Sequence, residues 1–353
     1  MFAIKPLNPQ FDALISDKIK QKTKPLGALG LLEPLAQHLV KILSQQIENE
    51  DEFLGFQPMI NQPTLIVFAG DHGVAAQGVS IAPSEVTAQM LANFVAGGAA
   101  INVFCNQLGW QLEIADCGTL TKVRNAGIRD CRLGDITEPL NQHRAMSTEQ
   151  VQQGFSNAKQ LVLELKSSGC NTLALGEMGI GNTTSAAAIM AAMLELPASE
   201  CVGKGTGVSD EVVARKVKVV EQALLLHKAQ LDNPVTLLAA LGGFEVVHIV
   251  GAMLSAAEQQ MVVLVDGFIC TAAALVAIAI NPDVKAYLIF AHSSNEQGHC
   301  KMLAHLEVRA LLQLELRLGE GTGAALSLPL LQSALGFYNK MASFADAAVD
   351  DVV

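Results

Sequence analysis

The stretch 176-GEMGIGNTTSAAA-188 sets Gly176 and Gly181 at the spacing of a triphosphate-binding loop, G-x-x-x-x-G-K-[ST]. Asn182 stands where that loop needs its lysine, and Thr183 follows. A triphosphate requires the lysine and a magnesium partner, and Glu177 inside the loop repels a polyphosphate. Backbone N–H groups at a helix start point outward and carry partial positive charge, so they hold an anion without a side-chain cation. A single phosphate monoester, held by loop amides and the hydroxyls of Thr183 and Thr184, therefore suits the stretch better. The competing reading is a plain helix start with glycine for tight packing. Two more glycine clusters, 203-GKGTGVSD-210 and 319-GEGTGAAL-326, also lead into expected helices.

Glu320 lies between Gly319 and Gly321, so its carboxylate is the only side-chain functional group of that turn. Backbone flanked by glycine can approach a flat ligand closely. A partly desolvated glutamate has a raised pKa and is a competent base near neutral pH. The alternative is a helix C-cap glycine followed by a new helix carrying Glu320 in its first turn. Lys216, on the helix after 203–210, can reach back to a phosphate or carboxylate, or simply be solvated. His72, His292 and His299 raise the question of a metal, but 292-HSSNEQGH-299 matches no compact zinc motif, and no metal is expected.

These groups need a scaffold. Six short apolar runs, 64–70, 111–118, 172–179, 235–243, 262–267 and 286–292, are nearly continuous in hydrophobicity. That pattern predicts parallel strands covered on both faces. Helical segments such as 210–230 lie between them, which predicts an α/β fold with a doubly wound, mostly parallel sheet and right-handed crossovers. Ligands of such sheets bind beyond the C-terminal strand ends. Those ends carry Asp71-His72, Asp116, Glu177, Gly242-Gly243, Asp266 and His292, each of which also reads as ordinary turn or cap chemistry. Segment 302–318 reads as one amphipathic helix delivering Glu320 to the sheet. Residues 118–150 are the least regular. We expect a large domain over 61–300 and a small helical domain from 1–60 plus 301–353.

The 353 residues are 50% hydrophobic and 16% charged, a core-rich balance with little room for disorder. A net charge of −11 opposes nucleic acid and anionic membranes, so any phosphate must be caught locally. Seven scattered cysteines without a C-x-x-C pair fit reduced thiols and a cytoplasmic setting. The N-terminal residues lack a signal-peptide apolar run. The most membrane-like segment, 261–280, is split by Asp266-Gly267 and reads as strand–turn–helix. No G-x-G-x-x-G follows a strand, and no cofactor is implied.

Several longer pieces carry a resemblance: 70-GDHGV-74, 85-EVTAQMLANFVAGGAAINVF-104, 176-GEMGIGNTTSAAA-188, 203-GKGTG-207, 241-LGGFEVVHIVGAM-253, 265-VDGFICTAAAL-275, 291-AHSSNEQGH-299 and 316-LRLGEGTGAAL-326. In this order, over roughly residues 22 to 335, they resemble the nicotinate-nucleotide–dimethylbenzimidazole phosphoribosyltransferase family. The resemblance implies a Rossmann-like sheet with a small helical domain, a homodimer, and transfer of a 5-phosphoribosyl group. The donor would be nicotinate mononucleotide and the acceptor 5,6-dimethylbenzimidazole, giving α-ribazole 5′-phosphate and nicotinate for the nucleotide loop of cobalamin. It implies Glu320 as catalytic base, a phosphate loop of Gly179, Ile180, Gly181, Asn182, Thr183 and Thr184, and Lys216 beside the phosphate. Gln89 and Glu177 would line the base pocket. In 24-KPLGALGLLE-33, Ala28 replaces a serine usual in the family. The competing class is a non-catalytic protein that binds or senses a phosphorylated ribose compound, which would have no need of Glu320.

Overall fold

The computed structural model describes residues 2–205 and 207–350. Six strands form one sheet: β1 (Thr64–Gly70), β2 (Gln111–Gly118), β3 (Arg129–Asp130), β4 (Thr172–Met178), β5 (Val262–Val265) and β6 (Leu288–Phe290). Their order is β3-β2-β1-β4-β5-β6, and every pairing is parallel. This is the order of doubly wound nucleotide-binding sheets, whose direction of winding reverses between β1 and β4. Every residue of β1 and β5 is buried, which explains their unbroken apolar runs.

Helices α1 (Asp12–Lys20), α2 (Leu32–Leu43) and α3 (Glu50–Gly55) precede the sheet. Helices α4 (Glu85–Ala96) and α5 (Ala100–Leu108) connect β1 to β2, and α6 (Thr148–Ser167) leads into β4. Five more separate β4 from β5: α7 (Asn182–Leu194), α8 (Ala198–Cys201), α9 (Asp210–Leu226), α10 (Pro234–Leu241) and α11 (Phe244–Glu258). Then come α12 (Phe268–Ile280), α13 (His299–His305), α14 (Thr322–Lys340) and α15 (Phe344–Ala347). Helix α11 packs on the sheet beside α6 and α12, while α14 packs on β4 between α5 and α2. The terminal segments meet: the Thr23 amide donates to the Ala342 carbonyl, and α2 packs along α14. Because α14 also covers the sheet, one continuous hydrophobic core runs from Ile15 through β1 to Tyr338.

Two local expectations are corrected. The run 235–243 is not a strand but α10, opened by Asn233, whose Oδ1 accepts from the amides of Val235 and Thr236, with Pro234 at the first helical position. An apolar run that short does not distinguish strand from buried helix, and the Asn-Pro cap decides it. Segment 302–318 is helical only to His305. Its later part, 312-LQLELRL-318, alternates leucine with polar residues, a period of two. It runs beside the residues after β6, with Leu312 N–H donating to Ala291 O (2.9 Å) and Ser293 N–H to Leu312 O (2.8 Å), and turns at Glu315, whose φ is +56°. The irregular stretch 118–150 contributes the short edge strand β3. The segment 261–280 resolves into β5 and α12, and the apolar stretch 85–108 is broken at Gly97, whose φ is +81°.

The three glycine clusters do precede helices. Gly181 (φ +98°) and Gly321 (φ +83°) cap α7 and α14, and Ser209 caps α9. One close approach governs the centre: a side chain on Gly176 would sit 2.5 Å from the carbonyl carbon and oxygen of Glu320 and 2.6 Å from Gly321 N. We expect Gly176→Ala to cost about 1–3 kcal/mol in denaturant unfolding, because backbone must move, and to lose turnover even where it is folded. Gly336 in α14 has open space around it, so Gly336→Ala should gain about 0.5–1 kcal/mol with turnover unchanged. Similar stability for both variants would mean that the loop yields freely.

Candidate active site

The loop after β4 is built by close backbone contact. A side chain on Gly179 would collide with the Gly70 carbonyl oxygen, so the ends of β1 and β4 meet there. The Ile180 amide donates to Thr87 Oγ1 (3.2 Å), and Thr87 in turn donates to Asp71 Oδ1 (2.6 Å). Asp71 Oδ2 accepts from the Leu120 amide (2.9 Å). Asp71 and Thr87 therefore fix the loop, and the Ile180 amide is engaged within the chain rather than offered to an anion. Asn182 Nδ2 donates to Glu177 Oε2.

Lys216 reaches back from α9. Its Nζ donates to Thr183 Oγ1 (3.0 Å) and Gly203 O (3.4 Å), and burial holds its pKa below the usual lysine value. No carboxylate lies within ion-pair distance of it among the described residues. Thr184 Oγ1 is buried without a hydrogen-bond partner among the described residues. Gly205 closes over Thr183 and Lys216, while Thr206 of the same motif lies outside the described residues. A buried ammonium without a carboxylate partner leaves a positive charge that a bound anion would offset.

The other end of the site is acidic. Gly319, Glu320 and Gly321 have φ of +85°, +61° and +83°, three consecutive left-handed residues. For Glu320 that conformation costs about 1–2 kcal/mol, a form of strain that clusters at functional sites. The turn is held by Glu320 N–H to Glu177 O (3.3 Å), Thr322 N–H to Gly319 O (3.1 Å) and Ala324 N–H to Asp266 Oδ1 (2.9 Å). Gly319 leaves room for the Glu177 carboxylate, and Gly321 for Leu65. The glycines thus admit neighbouring protein groups as well as leaving Glu320 as the turn's only functional side chain. Glu320 Oε2 accepts from the Ile101 amide (3.3 Å) at the start of α5. Burial raises its pKa, the Ile101 amide opposes that rise, and Asp266 adds to it. Glu177 is pushed up to about 8, first by burial, then by Asp266 and Glu245, against the Asn182 bond. At neutral pH Glu177 is therefore mostly protonated.

Glu177, Gly179, Ile180, Asn182 and Thr183 line one cavity at the strand ends, together with Asp266, His292, Glu296 and Arg317. Gln89 is exposed on α4 and is not part of that lining. Arg317 and Glu296 were not singled out by sequence. The signal available for Arg317 was its place in the alternating run directly before the Gly-Glu-Gly turn. Asp116 turns back on its own loop, accepting from Gly118 and Thr119 amides and pairing with Arg132 (2.8 Å). Gly242-Gly243 links α10 to α11 rather than ending a strand.

The three histidines each serve a neighbour. His72 Nε2 meets Glu245 Oε1 at 2.7 Å, and His292 Nε2 lies 3.5 Å from Asp266 Oδ1. His299 Nδ1 accepts from the Ser294 amide (2.8 Å), which places its proton on Nε2 for Thr271 Oγ1 (2.9 Å). Burial pushes its pKa down to about 3. Among the described residues no cluster of His, Cys, Asp and Glu is arranged to hold a metal ion.

Glu177 also sets a pH dependence of stability. Its folded pKa lies above the unfolded value, so its contribution is full below about pH 4.5 and is lost as pH rises through about 8. Glu177→Gln keeps the acceptor for Asn182 and cannot ionise. Its stability relative to the unmodified protein should grow between pH 5 and pH 8.5 by more than about 1 kcal/mol in urea unfolding. A gap that does not change with pH would remove the burial argument.

A phosphoribosyltransferase family model matches residues 4–349. The nicotinate-nucleotide–dimethylbenzimidazole phosphoribosyltransferase of Pseudoalteromonas translucida (strain TAC 125) is 74% identical over 353 residues, all of both chains. The enzyme of that name from Shewanella sp. (strain MR-7) is 57% identical, with all of this chain and 98% of that one aligned. The crystal structure of CobT from Thermus thermophilus superposes with a TM-score of 0.89 at 37% identity, covering 97% of this chain and 99% of that chain. With the parallel sheet, the glycine-rich loop after β4 and the buried glutamates in place, this chain belongs to the phosphoribosyltransferase family.

Proposed function

We propose that this protein transfers the 5-phosphoribosyl group of nicotinate mononucleotide to 5,6-dimethylbenzimidazole, releasing nicotinate and α-ribazole 5′-phosphate in cobalamin assembly. The observation that carries the mechanism is Glu320, a strained, buried carboxylate with a raised pKa, seated against Glu177 at the β4 end. The donor needs no metal to leave, because the pyridinium nitrogen becomes neutral as the glycosidic bond breaks. The bare nitrogen of the benzimidazole attacks C1′ from the opposite face, converting a β- to an α-glycoside. The other ring nitrogen must then lose its proton, and Glu320 is the base proposed to accept it. Such base catalysis is typically worth about 10²–10⁴-fold.

The phosphate is assigned to the amides of Gly179 and Gly181, the hydroxyls of Thr183 and Thr184, and Lys216, while the Asn182 amide donates within the loop to Gly179 O (3.2 Å). Anchoring it there spends binding energy on positioning the reacting carbon. Ile180 shapes this loop through Thr87. Glu177 is assigned to the ribose and departing ring: protonated in the free protein, it can donate a hydrogen bond, and a bound pyridinium cation would favour its ionised form. Gln89 is retained as a base-pocket residue, which from its exposed place on α4 would need closure over the bound base. A homodimer in the cytoplasm is part of the same proposal. The competing reading, a protein that only binds a phosphorylated ribose, leaves the conformational cost of Glu320 without a purpose.

Metal-free incubation with nicotinate mononucleotide and 5,6-dimethylbenzimidazole should yield nicotinate and α-ribazole 5′-phosphate by chromatography. Nucleotide binding without either product would favour the binding-only reading. Glu320→Gln should reduce turnover by about 10²-fold or more while nicotinate mononucleotide still binds. Unchanged turnover would dismiss Glu320 as the base. Since the base must be ionised, turnover should rise with pH through a limb above the ordinary glutamate range, and that limb should vanish in the residual rate of the variant.

A further inference from the structure

Arg317 ends the run beside β6, two residues before Gly319. Its Nη1 donates to the Gly205 carbonyl (2.9 Å), and it lines the same cavity as Thr183 and Glu296. Gly205 is in turn next to Lys216: a Cβ built on Gly205 would lie 3.9 Å from Lys216 Nζ and 3.7 Å from Thr183 Oγ1. One glycine is therefore bracketed by two cations that come from different elements. Neither is in an ion pair among the described residues, whereas Lys204 in the same loop is held by Asp210 (2.8 Å). Glu296 is the carboxylate of this group. Burial raises its pKa and Lys216 and Arg317 oppose the rise.

A phosphate monoester carries about −1.5 to −2 charges at pH 7. One buried ammonium leaves part of that charge uncompensated. A guanidinium has five N–H donors in a planar fork suited to phosphate oxygens, and the bond to Gly205 uses one of them. The bond also orients the fork along the loop that covers Thr183. In a chain of net charge −11, an unpaired guanidinium on the cavity wall and an unpaired ammonium behind Thr183 mark where an anion is expected.

Resting on the phosphoribosyl-transfer reading above, we propose that Arg317 binds the phosphate of the donor nucleotide, acting with Lys216 from the opposite side of Gly205. The donor's other anionic group, the nicotinate carboxylate, is the alternative target, and the test separates the two.

Calorimetry on the full chain would compare nicotinate mononucleotide with nicotinate riboside, which lacks the phosphate. Arg317→Gln should weaken mononucleotide binding about 10- to 100-fold, the range of a charge-assisted hydrogen bond, and leave riboside binding unchanged. Arg317→Lys keeps the charge without the fork and should fall between the two. Equal weakening of both ligands would place Arg317 on the ribose or the nicotinate and overturn the assignment. Unchanged mononucleotide binding in Arg317→Gln would overturn it as well. Failure of the unmodified protein to bind the mononucleotide would overturn the phosphoribosyl-transfer reading itself, and this inference with it.

Discussion

The site depends on one backbone contact, the Glu320–Gly321 peptide lying against Gly176 of β4. No side chain fits between them, so the central strand must present glycine where an ordinary parallel strand would present a branched residue. The contact fixes the height of the turn above the sheet. It then takes three left-handed residues in succession to direct the Glu320 side chain toward the α5 N-terminus while α14 starts at Thr322. Asp266, at the end of β5, completes the arrangement by accepting the Ala324 amide. Position at the sheet end, strain and helix start are consequences of the same close approach.

Charge is segregated along the cavity that results. Lys216 and Arg317 both stand beside Gly205, with Thr183 accepting from Lys216. Glu177, Asp266 and Glu320 gather at the ends of β4, β5 and the turn before α14. The proposed donor, nicotinate mononucleotide, has the same polarity, an anionic phosphate at one end and a cationic pyridinium ring at the other. The acidic end has a further consequence. Each carboxylate there raises the pKa of a neighbour, Asp266 for both Glu177 and Glu320. Groups so coupled do not all ionise at neutral pH, which makes an acid and a base from one residue type.

Much of this was legible before the fold. The unbroken apolar runs of β1 and β5 and the nearly continuous ones of β2 and β4 announced buried parallel strands, and glycine before α7 and α14 announced the helix starts. Glu320 stood out because its neighbours have no side chains. What was not legible follows from long-range contact. Gly176 reads as part of a phosphate loop, yet its closest neighbour is 144 residues away at Glu320. Asp71 and Thr87 became loop supports only once β1 and α4 were placed beside Ile180. The run before α10 hid its Asn-Pro cap behind a strand-like string of leucine and alanine. The period of two in 312–318 was masked by the helical spacing of the residues preceding it.

The arrangement opposes stability and supports chemistry. Burying four carboxylates, Glu177, Glu245, Asp266 and Glu320, near one another is unfavourable, and Glu245 Oε2 has no hydrogen-bond partner among the described residues. A fold is able to retain such a cluster when the surrounding core is large and continuous. Here the sheet is covered by α11 on one side and α14 on the other, with the core extending into α2. The elements that hold the strained turn in place are therefore the same ones that contribute most of the apolar burial. Helix α14 does both: its N-terminus is tied to Asp266, and its buried face closes the core down to Tyr338. Joining the Gly-Glu-Gly turn to that helix makes displacement of Glu320 as costly as disturbing the core, and this keeps the strained carboxylate, the proposed proton acceptor, in a single position.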